Sequence, residues 1–224
     1  MQNQNNNQKP APAPRLPIQW NAIGLTALFS ILVLLAFMLY IFYQKDQHVS
    51  WFRLMNLATA ETALVLVGFS FVLSGIGFFW DILDRQVRYR KYLGLFGFAI
   101  AAIHVLLSLQ IARNIYAFTF GLIGILMLVF MAAISNRDAQ IRYGQRWRVL
   151  LRSGYIAYIA IMIHYAILRL SEWSRWFGQD HISLPPASLI TVVLAIGVIV
   201  LRLAMQIEIR RRAEKATLQK LPQK

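Results

Sequence analysis

The 224-residue chain contains no cysteine. That excludes disulfides, thiolate metal sites, cysteine-held iron–sulfur clusters and thioether attachment of a cofactor through C-x-x-C-H, so any metal must rest on His, Met or oxygen ligands. Acidic residues are also scarce, with 9 Asp plus Glu against 23 Lys plus Arg. Such an excess suits either nucleic acid or a membrane surface. The basic residues lie between long apolar runs instead of forming one soluble patch, which points to the membrane and away from nucleic acid. There is no G-x-G-x-x-G and no P-loop, so no nucleotide-binding domain is expected. The opening MQNQNNNQKPAPAPRLP has no small-residue cleavage site behind a short apolar core. Residues 1–17 therefore read as a disordered polar and Pro-rich tail, not a signal peptide.

Apolar sequence is abundant. Hydrophobic residues make up 58% of the chain and mean hydropathy is +0.52, above the roughly 45–50% apolar content of soluble domains. Six runs follow one another, at Trp20–Tyr43, Leu54–Trp80, Leu93–Ile111, Tyr116–Ser135, Leu150–Ser171 and Ala187–Gln206. Each can cross a hydrocarbon layer of about 30 Å as a helix. Continuous apolarity over about 20 residues excludes barrel strands, which alternate over about 10. The expectation is an all-α integral membrane protein, a six-transmembrane-helix bundle over residues 18–206 with a basic extension at 207–224. Of the 23 Lys and Arg, 18 fall in the N-terminal tail, the second and fourth connections and the segment from Arg202 onward. The positive-inside rule then places both termini in the cytoplasm of a multi-pass protein of the inner or plasma membrane. The connection from Glu172 to Pro186, with Trp173 and Trp176, reads as an interfacial belt on the outer side.

Four histidines occur. His48 and His181 lie in connections, where a solvated imidazole needs no special account. His104 and His164 lie inside apolar helices, where an ionisable group is costly and by default a functional hypothesis. The two helices run in the same direction. His104 stands 13 residues (about 20 Å) past Lys91, and His164 stands 12 residues (about 18 Å) past Arg152. Two readings remain open for such a pair. Each His can hydrogen-bond a carbonyl of a neighbouring helix, or the two can approach a planar ring from opposite faces, as the axial ligands of a six-coordinate b-type haem do. Zinc would need further donors, and no Cys, Asp or Glu lies at that level. Phe96, Phe98, Phe118, Phe120, Gly94, Gly97, Gly121 and Gly124 are available to shape an apolar slot. Arg113 and Arg169 are candidate partners for propionates, or snorkelling cations at helix ends. Glu61, one or two turns into the second helix, handles protons or pairs with one of these arginines.

Three segments carry a family resemblance: RKYLGLFGFAIAAIH at Arg90–His104, GLIGILMLVFMAAISNR at Gly121–Arg137, and RWRVLLRSGYIAYIAIMIHY at Arg146–Tyr165. Over roughly residues 54–206 the chain resembles the ferric reductase-like transmembrane domain family. That family includes the membrane part of NADPH oxidases and the haem-binding membrane subunit of the bacterial periplasmic methionine sulfoxide reductase system. The resemblance implies a membrane electron-transfer protein with His104 and His164 as axial ligands. One departure is that the family's Trp-x-x-Leu-His-Arg becomes Trp147, Leu150, Leu151, Arg152 here, so an imidazole is replaced by Leu151. Leu151 lies about 20 Å from the level of His164, and the matching positions on the third helix are Arg90 and Lys91. One haem b is therefore expected, in the outer half.

A quinol or a flavoprotein is the expected donor, with a separate extracytoplasmic acceptor. The economical enzyme assignment is the membrane subunit of an oxidoreductase. The alternative is a degenerate haem-free relative acting as a membrane scaffold or assembly subunit. A small proton-relay transporter ranks last, because the chain lacks an internal repeat and Pro-broken helices.

Overall fold

The computed structural model of the chain describes residues 19–45, 48–79, 87–110, 114–178 and 183–218. The expected tail at 1–17, Trp80, Ile111, Arg113, His181 and the last six residues of the basic extension lie outside the described residues.

The described residues form α1 (Trp20–Gln44), α2 (Trp51–Phe79), α3 (Val87–Ser108), α4 (Ile115–Ile134), α5 (Arg137–Tyr143), α6 (Gln145–Arg152), α7 (Gly154–Gly178) and α8 (Ala187–Leu218), with no strand among them. Six helical segments are long and apolar enough to cross a membrane. Local chemistry sets their ends. The Asn114 side chain caps α4 by accepting from Tyr116 N (3.0 Å) and Ala117 N (3.1 Å). Asn136 caps α5 through Ala139 N (2.8 Å), and Gly144, at φ +50°, ends α5 where a side chain would be strained. Pro185–Pro186 precedes α8, where Pro186 O accepts from Leu189 N (2.8 Å).

Several boundaries differ from the sequence expectation: α3 begins at Val87 instead of Leu93, α8 runs to Leu218 instead of Gln206, and both ends of the fifth span move. The fifth spanning segment is broken at Ser153, whose Oγ donates to Leu150 O at 2.6 Å and so competes with the helical ladder. The long helix thus begins at Gly154 instead of Leu150. At its far end α7 continues to Gly178, so Glu172, Trp173 and Trp176 are helical and not part of a loop. Trp173 Nε1 donates to Ser188 Oγ (3.0 Å), tying that end of α7 to the first turn of α8.

Helix α2 is the axis of the bundle. It packs along α1, α3 and α8 and buries Leu64, Leu66, Val67 and Phe71. Helix α1 shows the polarity expected when the surroundings are lipid. Its buried residues are Ala22, Thr26, Ser30 and Ile41, while Leu28, Leu32, Leu35 and Leu39 are exposed. The two hydroxyls are satisfied within the helix, Thr26 to Ala22 O (2.7 Å) and Ser30 to Thr26 O (2.8 Å), and small residues let the helices approach closely. In water such a leucine face would be a large exposed apolar patch; against acyl chains it costs nothing.

The contacts divide the bundle into two tight pairs, α2 with α3 and α4 with α7, while α3 and α7 hardly touch. Gly124 lets α4 and α7 close up, since a Cβ there would lie 2.5 Å from Ile161 Cγ1. Gly97 does the same for α3 against α2, where a Cβ would lie 2.8 Å from Val67 Cγ2. Space is left between the pairs in the half of the bundle nearer Glu172.

Candidate functional site

That space is a cavity of about 300 Å³ walled by α2, α3, α4 and α7, at the lower end of the range for small-molecule and cofactor sites, about 300–1,000 Å³. Its wall is mainly aliphatic: Leu57, Leu64, Val67, Val105, Leu122, Ile125, Leu128 and Ile161. The polar groups among its lining residues are few: His104, His164, Asn56, Ser108, Asn114, Tyr158, Tyr165 and Arg169.

His104 of α3 and His164 of α7, 60 positions apart in sequence, line this one cavity from helices that otherwise hardly meet. His104 Nδ1 lies 3.0 Å from Asn56 O on α2, and His164 Nδ1 lies 2.6 Å from Ala117 O on α4. A carbonyl only accepts, so in both rings Nδ1 carries the proton and Nε2 carries a lone pair. Ser108 Oγ stands 3.4 Å from His104 Nε2, but its proton is directed to Asn56 Oδ1 at 3.0 Å. The two readings left open for these histidines are therefore compatible. Each imidazole bonds a neighbouring helix's carbonyl through one nitrogen, and that bond fixes the ring so that the other nitrogen is free to ligate. Among the described residues no group of three or more His, Asp or Glu stands together to hold a metal ion. His104 and His164 are a two-donor set.

Gly121 makes room for the second ring. A Cβ at that position would lie 2.8 Å from His164 Nδ1 and 3.1 Å from its Cε1. Of the aromatic and glycine residues expected to shape a slot, only Phe118 and Gly121 line the cavity. The others pack elsewhere. Gly97 and Gly124 serve the helix pairs, Phe98 packs against the core of Leu64, Val67 and Phe71, and Gly94 faces Ser70. Gly121 and Gly124 both face α7, one helical turn apart, and only the first lies at the level of the cavity.

Arg169 reaches the cavity wall while donating to Glu172 Oε2 at 3.1 Å, and Glu172 Oε1 also holds Lys45 Nζ at 2.7 Å. Arg113 lies outside the described residues. Glu61 is 2% exposed, and Arg169 bonds Glu172 instead of Glu61. The Glu61 carboxylate accepts from Thr191 Oγ1 on α8 at 2.6 Å, and the Tyr165 hydroxyl of α7 lies 3.3 Å from the same Thr191 Oγ1.

Toward the other end of the bundle the interior is filled. Phe71 stacks on Tyr155 (ring centroids 4.4 Å apart) and meets Tyr158 edge-on (5.6 Å). Arg202 lies over the Tyr155 ring at 4.7 Å. Leu151 does not line the cavity. Trp147 donates from Nε1 to Ile134 O at 2.9 Å and so ties α6 to the end of α4.

Sequence reasoning missed Asn56, Ser108, Thr191 and Tyr165. Asn56 alone carried a signal, as an amide inside an apolar helix; the others are ordinary residues of a membrane bundle until their neighbours are known. No family model and no curated protein matches this chain.

Proposed function

We propose that this chain is a b-type cytochrome of a cell membrane, a ferric reductase-like electron-transfer protein that holds one haem through His104 and His164. The observation that carries it is the pair of imidazoles lining one apolar cavity, each with Nδ1 bound to a backbone carbonyl and a free Nε2 lone pair. A bis-imidazole iron site needs two neutral nitrogen donors of this kind and an apolar enclosure, and the donor set fits. Bound there, the haem supplies a one-electron couple inside the low-dielectric part of the bundle.

The chain's own residues do the rest. The Asn56 and Ala117 carbonyls fix the tautomer and orientation of the two rings. Gly121 keeps the space beside His164 open. Arg169, held at the rim by Glu172, presents a cation suited to a carboxylate of the ligand. The aliphatic wall limits water, which favours fast electron exchange without side reactions. Both termini are assigned to the cytoplasm by the distribution of Lys and Arg. The cavity then lies in the outer half, and electrons pass from a quinol or flavoprotein donor to an extracytoplasmic acceptor, each a separate molecule.

The test is a reduced-minus-oxidised optical spectrum of the detergent-purified protein with haem counted per chain, repeated for His104→Ala and His164→Ala. The expected result is a low-spin b-type spectrum at about one haem per chain, lost in either variant. Folded protein without haem after expression with ample haem supply would overturn the proposal and leave the scaffold alternative.

A further inference from the structure

The ligand set proposed above leaves one costly residue unused, the buried carboxyl of Glu61. We infer that Glu61 is a redox-linked proton site, binding one proton from the Glu172 side of the bundle when the cavity's occupant gains one electron and releasing it on oxidation. This inference rests on the b-type cytochrome reading and adds a role for a residue outside the ligand set.

Three features of the geometry carry it. The first is position. Glu61 sits on α2 between Leu57, Ala60 and Leu64, which line the cavity, and it borders a narrow crevice formed with Gln44, Lys45, Arg169, Glu172 and Ser188. Leu57 and Arg169 belong to both walls, so Glu61 borders the crevice and is one side chain away from the cavity. Lys45 and Glu172 are partly exposed at 37% and 24%, which gives the crevice a wet, charged mouth.

The second feature is a reversible hydrogen-bond partner. Thr191 Oγ1 lies 2.6 Å from Glu61 Oε2, but also 3.0 Å from Ser188 O and 3.3 Å from Ala187 O. When Glu61 is a carboxylate, the Thr191 hydroxyl donates to it. When Glu61 is a neutral acid, it donates to Thr191 Oγ1, whose proton turns to the Ser188 carbonyl. Both forms are satisfied without moving a helix, as a site that cycles between them requires.

The third feature is that, among the described residues, Glu61 makes no ion pair. The nearby cations are committed elsewhere, because Arg169 and Lys45 both bind Glu172. Among the described residues, the titratable and charged groups that face Glu61 are Lys45 just past α1 and Tyr165, Arg169 and Glu172 from α7; His104 of α3 bonds the Asn56 carbonyl, and His164 adjoins Tyr165 in sequence. Helix α8 presents only the hydroxyls of Ser188 and Thr191 there. An electron added to a low-dielectric cavity raises the local negative charge, and neutralising a carboxylate next to it offsets that change. The balance is one electron from a one-electron donor, such as dithionite in the test, and one proton arriving from solvent at the Glu172 side onto a Glu61 oxygen, with no bond broken.

The test uses the haem-loaded full-length protein. The optical spectrum is recorded first, so that failure to bind haem is scored against the cytochrome reading and not against Glu61. Redox titration across neutral pH then compares the native chain with Glu61→Gln, which keeps the shape and an oxygen to accept from Thr191 but cannot ionise. The expected native midpoint potential falls as pH rises. The expected Glu61→Gln potential is flat over the same range, at the value the native protein reaches at its low-pH end. Reduced-minus-oxidised infrared spectra supply a second readout: a neutral-carboxyl C=O band that appears on reduction, is lost in Glu61→Gln and is displaced in Thr191→Val. A native potential independent of pH, or a slope and band unchanged in Glu61→Gln, overturns the inference. If Glu61→Gln does not fold, an undisplaced band in Thr191→Val does so.

Discussion

Position 121 shows how little room a single atom has in this molecule. His164 owes its orientation to a 2.6 Å bond with the Ala117 carbonyl, and the ring lies against the bare Cα of Gly121. Replacing Gly121 by Ala puts a methyl group 2.8 Å from Nδ1. The ring cannot yield as a flexible side-chain tip would, because its hydrogen bond holds it. Gly121→Ala should cost about 1–3 kcal/mol by overpacking, and under the cytochrome proposal it should lower haem occupancy while leaving helicity unchanged. Denaturant midpoints with haem counted per chain check both. Occupancy equal to the native chain would show that the ring is not held as described. The preference for glycine was visible in the sequence only as one of several small residues; its reason was not, because the clashing ring lies 43 positions away.

The helices are coupled through a few such close approaches. Tyr158 of α7 crosses to α2, where its hydroxyl donates to Leu64 O at 3.3 Å and fills the space above Gly68, whose Cβ would lie 2.5 Å from that oxygen. The two positions should therefore not behave independently. Gly68→Ala should be strongly destabilising in the native background and much less so in Tyr158→Phe, where the clashing oxygen is gone. A double-mutant cycle on thermal or detergent unfolding should give a coupling of about 0.5–3 kcal/mol, and additive costs would argue against this packing of α2 on α7. At this scale the sequence foretold six apolar helices, because hydrocarbon demands length and apolarity that any reader can count. It did not foretell the break at Ser153 or the continuation of α7 to Gly178. These depend on the Ser153 hydroxyl bonding Leu150 O and on Trp173 and Glu172 finding partners on α8 and α1.

For the whole molecule the open prediction is orientation. A chain with no native cysteine suits site-directed labelling. Leu184, 60% exposed in the connection before α8, should react as Leu184→Cys with a membrane-impermeant maleimide added outside intact spheroplasts. Gln140, exposed on α5, should react as Gln140→Cys only after lysis. The reverse pattern would place the cavity in the inner half and reverse the proposed path of the electron.

The sequence by itself determined the six long apolar spans and the two costly imidazoles, because burying charge in hydrocarbon is expensive enough to leave a mark in composition. Spacing also put His104 and His164 at one depth. Only the tertiary structure decided that α3 and α7 stand apart with a cavity between them, that each His is anchored by another helix's carbonyl, and that Glu61 bonds Thr191 while Arg169 bonds Glu172. These are relations between helices. A spanning helix records its need for lipid in its own residues, but which face meets which neighbour is set by steric fit among all six, and no single segment encodes that fit.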